Sequence, residues 1–198
     1  FHKKEYGDSF SKNDVVVDLG ANIGGFSVYV APKVKKVYSY EPHRESFSLL
    51  KENLLMNKIQ NVEVCPYAVA GEKGRVTLHV GNANVGGTSM YRKWYSGKKE
   101  KVPAITLTDI FAKHKLKKVD FLKIDVEGAE YDILFSTPKK ELAKVQTIAL
   151  EFHDTVEKKY TYKDLVSFLE KNGFAVKVTT PRIFYFFFRF GNLNATKK

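Results

Sequence analysis

The 198-residue chain is 43% hydrophobic and 28% charged, which excludes a disordered or fibrous protein and leaves enough apolar surface for one buried core. Its longest apolar run, Ile183 to Phe188, falls far short of the roughly 20 residues of a membrane helix, and the N-terminal residues show no signal-type apolar stretch. A single cytoplasmic domain over residues 1–198 with no membrane span is therefore expected, and the lone Cys65 excludes an intrachain disulfide. The net charge of +11 invites RNA as a partner, but the lysine clusters at 33–36, 97–101 and 113–118 are scattered between predicted elements, which favours plain solvated faces.

Apolar runs of strand length alternate with helix-period segments, the pattern of a parallel sheet flanked by helices. VVVDLG (15–20) reads as a buried strand, because β-branched residues run on until a glycine stops them. A helix follows and ends near Pro32. KVYSYEP (36–42) is the second strand, and residues 43–57 form a helix presenting Phe47, Leu50, Leu54 and Leu55 on one face. VEVCPYAVA (62–70) is the third strand, with Cys65 a core side chain rather than a reactive thiol.

GRVTLHV (74–80) alternates Val76, Leu78 and Val80 and is expected to pair with residues 102–107 across a long loop. That loop, 81–101, carries glycines and the aromatic Tyr91, Trp94 and Tyr95, and reads equally as a functional loop or an insertion. VDFLKIDV (119–126) is the fourth strand, the helical stretch after it breaks near Pro138, and QTIALEFH (146–153) is the fifth. YKDLVSFLEKNGF (162–174) has a helical period and an Asn-Gly stop. AVKVTT and IFYFFFRF, joined by Pro181-Arg182, read as a closing antiparallel hairpin.

Between the first strand and its helix lies DLGANIGG (18–25), a context that gives a glycine-rich turn meaning. Glu41 ends the next strand 21 residues beyond Gly20, where an acid of a nucleotide-binding βαβ unit accepts hydrogen bonds from ribose hydroxyls. A nucleoside ligand follows. In the dinucleotide fingerprint the second glycine admits the pyrophosphate, and here that place holds Asn22, so a nicotinamide oxidoreductase is disfavoured. Asp18 would repel a phosphate but suit an ammonium. S-adenosylmethionine has a ribose, an ammonium and a sulfonium, and no phosphate.

FLKIDVEGAE (121–130) brings three carboxylates to a strand exit. Period-two alternation puts Lys123 and Asp125 on one face, where the lysine needs a partner. Asp125 at the strand end and Glu127 in the loop are candidate bases, whereas Glu130 suits a helix N-terminus. His153, ending the fifth strand beside Glu151 and Asp154, is a further candidate base. Asp125, Glu127 and His153 are also ligands a hard metal accepts, but nothing fixes their spacing across two strands, and no metal site is expected.

These segments, with YEP at 40–42, NVEVCPYAVAGEKGRVTLHV, GGTSM at 86–90, ITLTDIF and LEFHD, resemble the FkbM-type methyltransferases over nearly the whole chain. DxGxNxG is shared by many class I methyltransferases; LKIDVEGAE is far more specific to this family. The resemblance implies a three-layer class I methyltransferase (Rossmann-like) α/β fold, with a mostly parallel seven-stranded sheet and a C-terminal antiparallel hairpin. It also implies S-adenosylmethionine as methyl donor and, most often, methylation of an oxygen, but it does not supply the substrate; the favoured hypothesis is a hydroxyl or carboxylate on a small molecule, a sugar or a lipid-linked intermediate. Carried onto matching positions, it places Asp18, Gly20, Ala21 and Asn22 around the methionine end, Glu41 on the ribose, and Pro42, Tyr67 and Ala68 around the adenine. Asp125, Glu127 and His153 are then the groups available to deprotonate a hydroxyl. An RNA methyltransferase using the basic surface and loop 81–101 is the alternative. It is less favoured, because the fourth strand exits into IDVEG rather than the Asn-Pro-Pro-Tyr type motif of many amino-methylating enzymes, and these acids repel RNA phosphates. A binding module without turnover is a further alternative.

Overall fold

The computed structural model describes residues 10–80, 98–154, 160–180 and 190–198. In chain order these form β1 (Val15–Leu19), α1 (Gly25–Val30), β2 (Lys36–Tyr40), α2 (Arg44–Met56), β3 (Val62–Cys65), β4 (Ala68–Val69), β5 (Gly74–Val80) and β6 (Lys98–Ile105). There follow α3 (Leu107–Lys113), β7 (Val119–Ile124), α4 (Glu130–Ser136), α5 (Lys139–Leu142), β8 (Val145–His153), α6 (Tyr162–Lys171), β9 (Phe174–Val178) and β10 (Phe190–Lys197).

Seven strands make one sheet in the order β3-β2-β1-β7-β8-β10-β9. The first five are parallel, and β10 runs antiparallel to both β8 and β9. A smaller sheet, β4-β6-β5, sits apart, with β5 paired to β6 antiparallel; the partner strand starts at Lys98, before the expected 102–107. β1 is buried on both faces, which is why it reads as an unbroken apolar run. Val16 packs with Phe26 and Val30 of α1, and Val17 with the opposite core, to which α3, α4 and α6 contribute Ile110, Ile133 and Leu165. Thr106 and Asp109 form a reciprocal capping box that starts α3.

Four local expectations are corrected. Leu55 is exposed; α2 instead buries Ser46, Leu50 and Leu54, an i, i+4 stripe from which Leu55 is turned by about 100°. The third strand is split: Pro66, which has no N–H to donate, ends β3 at Cys65, and Ala68-Val69 pairs with β6 of the small sheet. β7 ends at Ile124, and the last helix stops at Lys171, leaving Phe174 to open β9. The closing antiparallel hairpin is present, with β9 paired to FGNLNATK of β10. Ile183–Phe188 and loop residues 81–97 lie outside the described residues. Among the described residues, no helix is long and apolar enough to cross a membrane.

Candidate active site

β1 stands between β2 and β7, where the strand order reverses, and a crevice opens at the carboxyl ends of strands at such a point. The cleft there has a volume of roughly 640 Å³, part of it open to solvent, and is floored by the turn after β1. Gly20 has φ +74°, and a Cβ on it would lie 1.7 Å from the carbonyl oxygen of Asp125, so the β1 and β7 exits touch only because residue 20 is glycine. The N–H groups of Gly20 and Ala21 both donate to the Tyr40 carbonyl at 3.0 Å, tying the turn to the end of β2.

Asn22 adopts a left-handed φ of 51°, which aims its N–H at Glu41 Oε2, 2.8 Å away. The other oxygen, Glu41 Oε1, accepts the N–H of His43 at 2.7 Å. Burial pushes the Glu41 carboxyl up to about 7; the backbone donors of His43 and Asn22 and the Lys123 ammonium pull against this, and Asp18 adds to the rise. Asn22 Oδ1 is a buried acceptor with no hydrogen-bond partner among the described residues. The two together present acceptors to a ligand rich in hydroxyl and N–H groups. Pro42, Tyr67 and Ala68 line the cleft, joined by Tyr40, Ser46, Val69 and Leu78, which sequence reasoning did not single out. Val69 and Leu78 belong to the small sheet, and no local signal announces where that sheet docks.

Asp18 and Ala21 are not among the lining residues. Asp18 is fully buried: its Oδ2 accepts from Ser27 Oγ at 2.7 Å, and its Oδ1 lies 3.1 Å from Lys123 Nζ. Where the sequence suggested a ligand ammonium, the Asp18 carboxylate faces the protein's own lysine, opposite it in the β1–β7 register. Lys123 also donates to the Gly20 carbonyl at 3.1 Å and lies 3.6 Å from Asp125 Oδ2, so it spans the floor of the cleft. Ala21 packs its methyl on Leu50 and Leu54 instead.

Asp125 and Glu127 both line the cleft. Glu127 and Gly128 have φ of 54° and 112°, a left-handed pair that reverses the chain between β7 and α4. Behind the cleft wall lies His153, 3% exposed. Its Nδ1 is 3.0 Å from Glu130 Oε1, and its Nε2 is 3.6 Å from Glu127 Oε2 and 3.4 Å from Glu151 Oε1. Burial alone would lower the imidazole; hydrogen bonds to Glu130 and Glu151 and the charges of Glu130 and Glu127 outweigh it and raise it to about 11. The surrounding carboxylates favour the imidazolium form of His153, and the residues lining the cleft do not include it. Glu130 opens α4, but it is fully buried and accepts from Gly128 N at 2.9 Å while gripping His153, a tighter role than a helix-end charge. Asp154 is structural, accepting from the Tyr131 hydroxyl and from Tyr162 N.

The sheet order and the cleft at its switch point are those of the class I methyltransferase fold, which solved structures share. A Methylobacillus flagellatus methyltransferase FkbM superposes over 96% of this chain with a TM-score of 0.65 at 17% identity, although the match spans only 44% of that longer chain. A Streptococcus mutans protein solved in complex with SAH superposes over 96% of this chain and 91% of its own, with a TM-score of 0.59 at 13% identity. The methyltransferase FkbM domain model matches residues 18–176, and the chain belongs to that family. Among its relatives, Methyltransferase 1 of Beauveria bassiana is 25% identical over 87% of this chain and 76% of its own length. The 31-O-demethyl-FK506 methyltransferase FkbM of Streptomyces tacrolimicus is 24% identical over 90% and 79%. The chain is accordingly a methyltransferase.

Proposed function

We propose that the cleft binds S-adenosylmethionine and that the enzyme methylates a hydroxyl of a small-molecule or carbohydrate acceptor. The observation that carries this reading is that Asp125 and Glu127 converge on the same cleft as Glu41 and Asn22, so candidate bases and nucleoside-binding groups share one space. The Streptomyces tacrolimicus relative is named as a methyltransferase of 31-O-demethyl-FK506, an acceptor lacking an O-methyl group, which supports methylation of an oxygen. The residues fit the donor: Glu41 suits ribose hydroxyls, Asn22 Oδ1 a polar hydrogen of the methionine end, and Pro42, Tyr67 and Ala68 a flat base.

When bound, the donor supplies an electrophilic methyl on sulfur. The chain's work is to align the acceptor oxygen with it and to take the hydroxyl proton. Asp125 and Glu127 are acceptors for that proton as the oxygen takes the methyl. The His153 side chain behind Glu127, with Nε2 3.6 Å from Oε2, orients it. Lys123 does the same for Asp125 from below.

Turnover with S-adenosylmethionine and fractionated metabolites or RNA, read by mass, tests this. Asp125→Asn and Glu127→Gln should lower methyl transfer on the order of 10² or more while S-adenosylhomocysteine affinity stays within a few-fold. Methyl groups appearing on RNA, or full activity in both variants, would overturn it.

A further inference from the structure

β3 is an edge strand of the large sheet, and Glu63 and Cys65, two residues apart on it, leave from one face. In register with them on β2 stand Tyr38 and Tyr40. His114, the residue that caps the C-terminus of α3, closes over this row: its ring centroid lies 4.0 Å from that of Tyr38, its Nε2 is 2.7 Å from the Tyr40 hydroxyl, and its Nδ1 is 3.8 Å from Glu63 Oε1. A Glu63 oxygen, Cys65 Sγ and a His114 ring nitrogen all lie within 4.8 Å of one another.

We infer that Glu63, Cys65 and His114 form a binding site for a thiophilic divalent cation, of which zinc is the best match. Thiolate, imidazole and carboxylate are the three side-chain ligands zinc takes, and the sulfur disfavours magnesium and calcium. Ligand atoms of a tetrahedral zinc stand roughly 3.3 to 3.8 Å apart, so the three groups need to close by about an ångström. Glu63 has the freedom to do so, with 43% of its side chain exposed, whereas the His114 side chain is 6% exposed and held by two tyrosines. The Tyr40 hydroxyl is an outer partner of the kind that fixes a ligating imidazole: with Nε2 occupied by it, Nδ1 is left facing Glu63.

Lys113 is the competing cation. Its Nζ lies 3.2 Å from Cys65 Sγ, on an exposed and flexible stem. Metal binding displaces this amine from the sulfur.

Cobalt(II) and zinc(II) titrations of the untagged chain test the site. One zinc per chain is expected, and cobalt should give the near-ultraviolet absorption of a thiolate–cobalt bond. Cys65→Ser should abolish that absorption, Glu63→Gln and His114→Gln should each weaken zinc about 10-fold or more, and Lys113→Gln should tighten it. Glu63 is on the surface, so its variant remains informative if substitutions at the buried positions fail to fold. No zinc bound at micromolar concentrations, or equal affinity in wild type and Glu63→Gln, would overturn the inference.

Discussion

Lys123 and Asp18 occupy opposed positions of the β1–β7 pair, and Nζ lies 3.1 Å from Oδ1 with both side chains buried. An ion pair taken out of water contributes little net stability, but removing one partner strands the other. Lys123→Met should therefore cost about 3 to 5 kcal/mol, read by denaturant unfolding, and Asp18→Asn in the same chain should restore part of it. A loss below about 1 kcal/mol would show that the pair does not hold the cleft floor.

Glu41 predicts a pH dependence of ligand affinity. Its carboxyl is raised from 4.5 to about 7, chiefly by burial. Because the folded value exceeds the unfolded one, its contribution to stability is full below pH 4.5 and is lost as pH rises through about 7. A hydrogen bond to ribose has the opposite preference, being strongest to the carboxylate. S-adenosylhomocysteine affinity should thus increase from about pH 6 to pH 8, and Glu41→Gln should flatten the profile and weaken binding by about 1 to 3 kcal/mol. A flat profile in the wild-type protein would remove Glu41 from the ribose.

His153 should stay protonated where ordinary histidines do not. With its folded value raised to about 11, the stability it contributes is full below 6.5 and fades as pH climbs toward 11. Side-chain nitrogen shifts measured by NMR at about pH 9 should still report an imidazolium, whereas an unperturbed histidine titrates near 6.5. Titration near neutrality would reinstate His153 as a base.

The parallel strands were legible because burial on both faces leaves a continuous apolar signature, and Gly20 and Glu41 because a tight turn and a spaced acid are local features. Asp18 and His153 have partners that were not legible, for one reason. Each is a charged side chain at a strand end, and sequence shows that it is there but not which counter-charge the neighbouring strand brings. Lys123 reaches Asp18 from β7, and Glu130 reaches His153 from α4. The same limit hid Val69 and Leu78, whose place in the cleft depends on how the small sheet packs.

The central claim, that the cleft at the β1 switch point is the donor site, is tested most directly by calorimetric titration with S-adenosylhomocysteine. One molecule per chain should bind. Gly20→Ala, which drives a Cβ to 1.7 Å from the Asp125 carbonyl, should abolish binding even if the variant stays folded. Failure of the folded wild-type protein to bind S-adenosylhomocysteine, or binding unaffected by Gly20→Ala, would contradict the account.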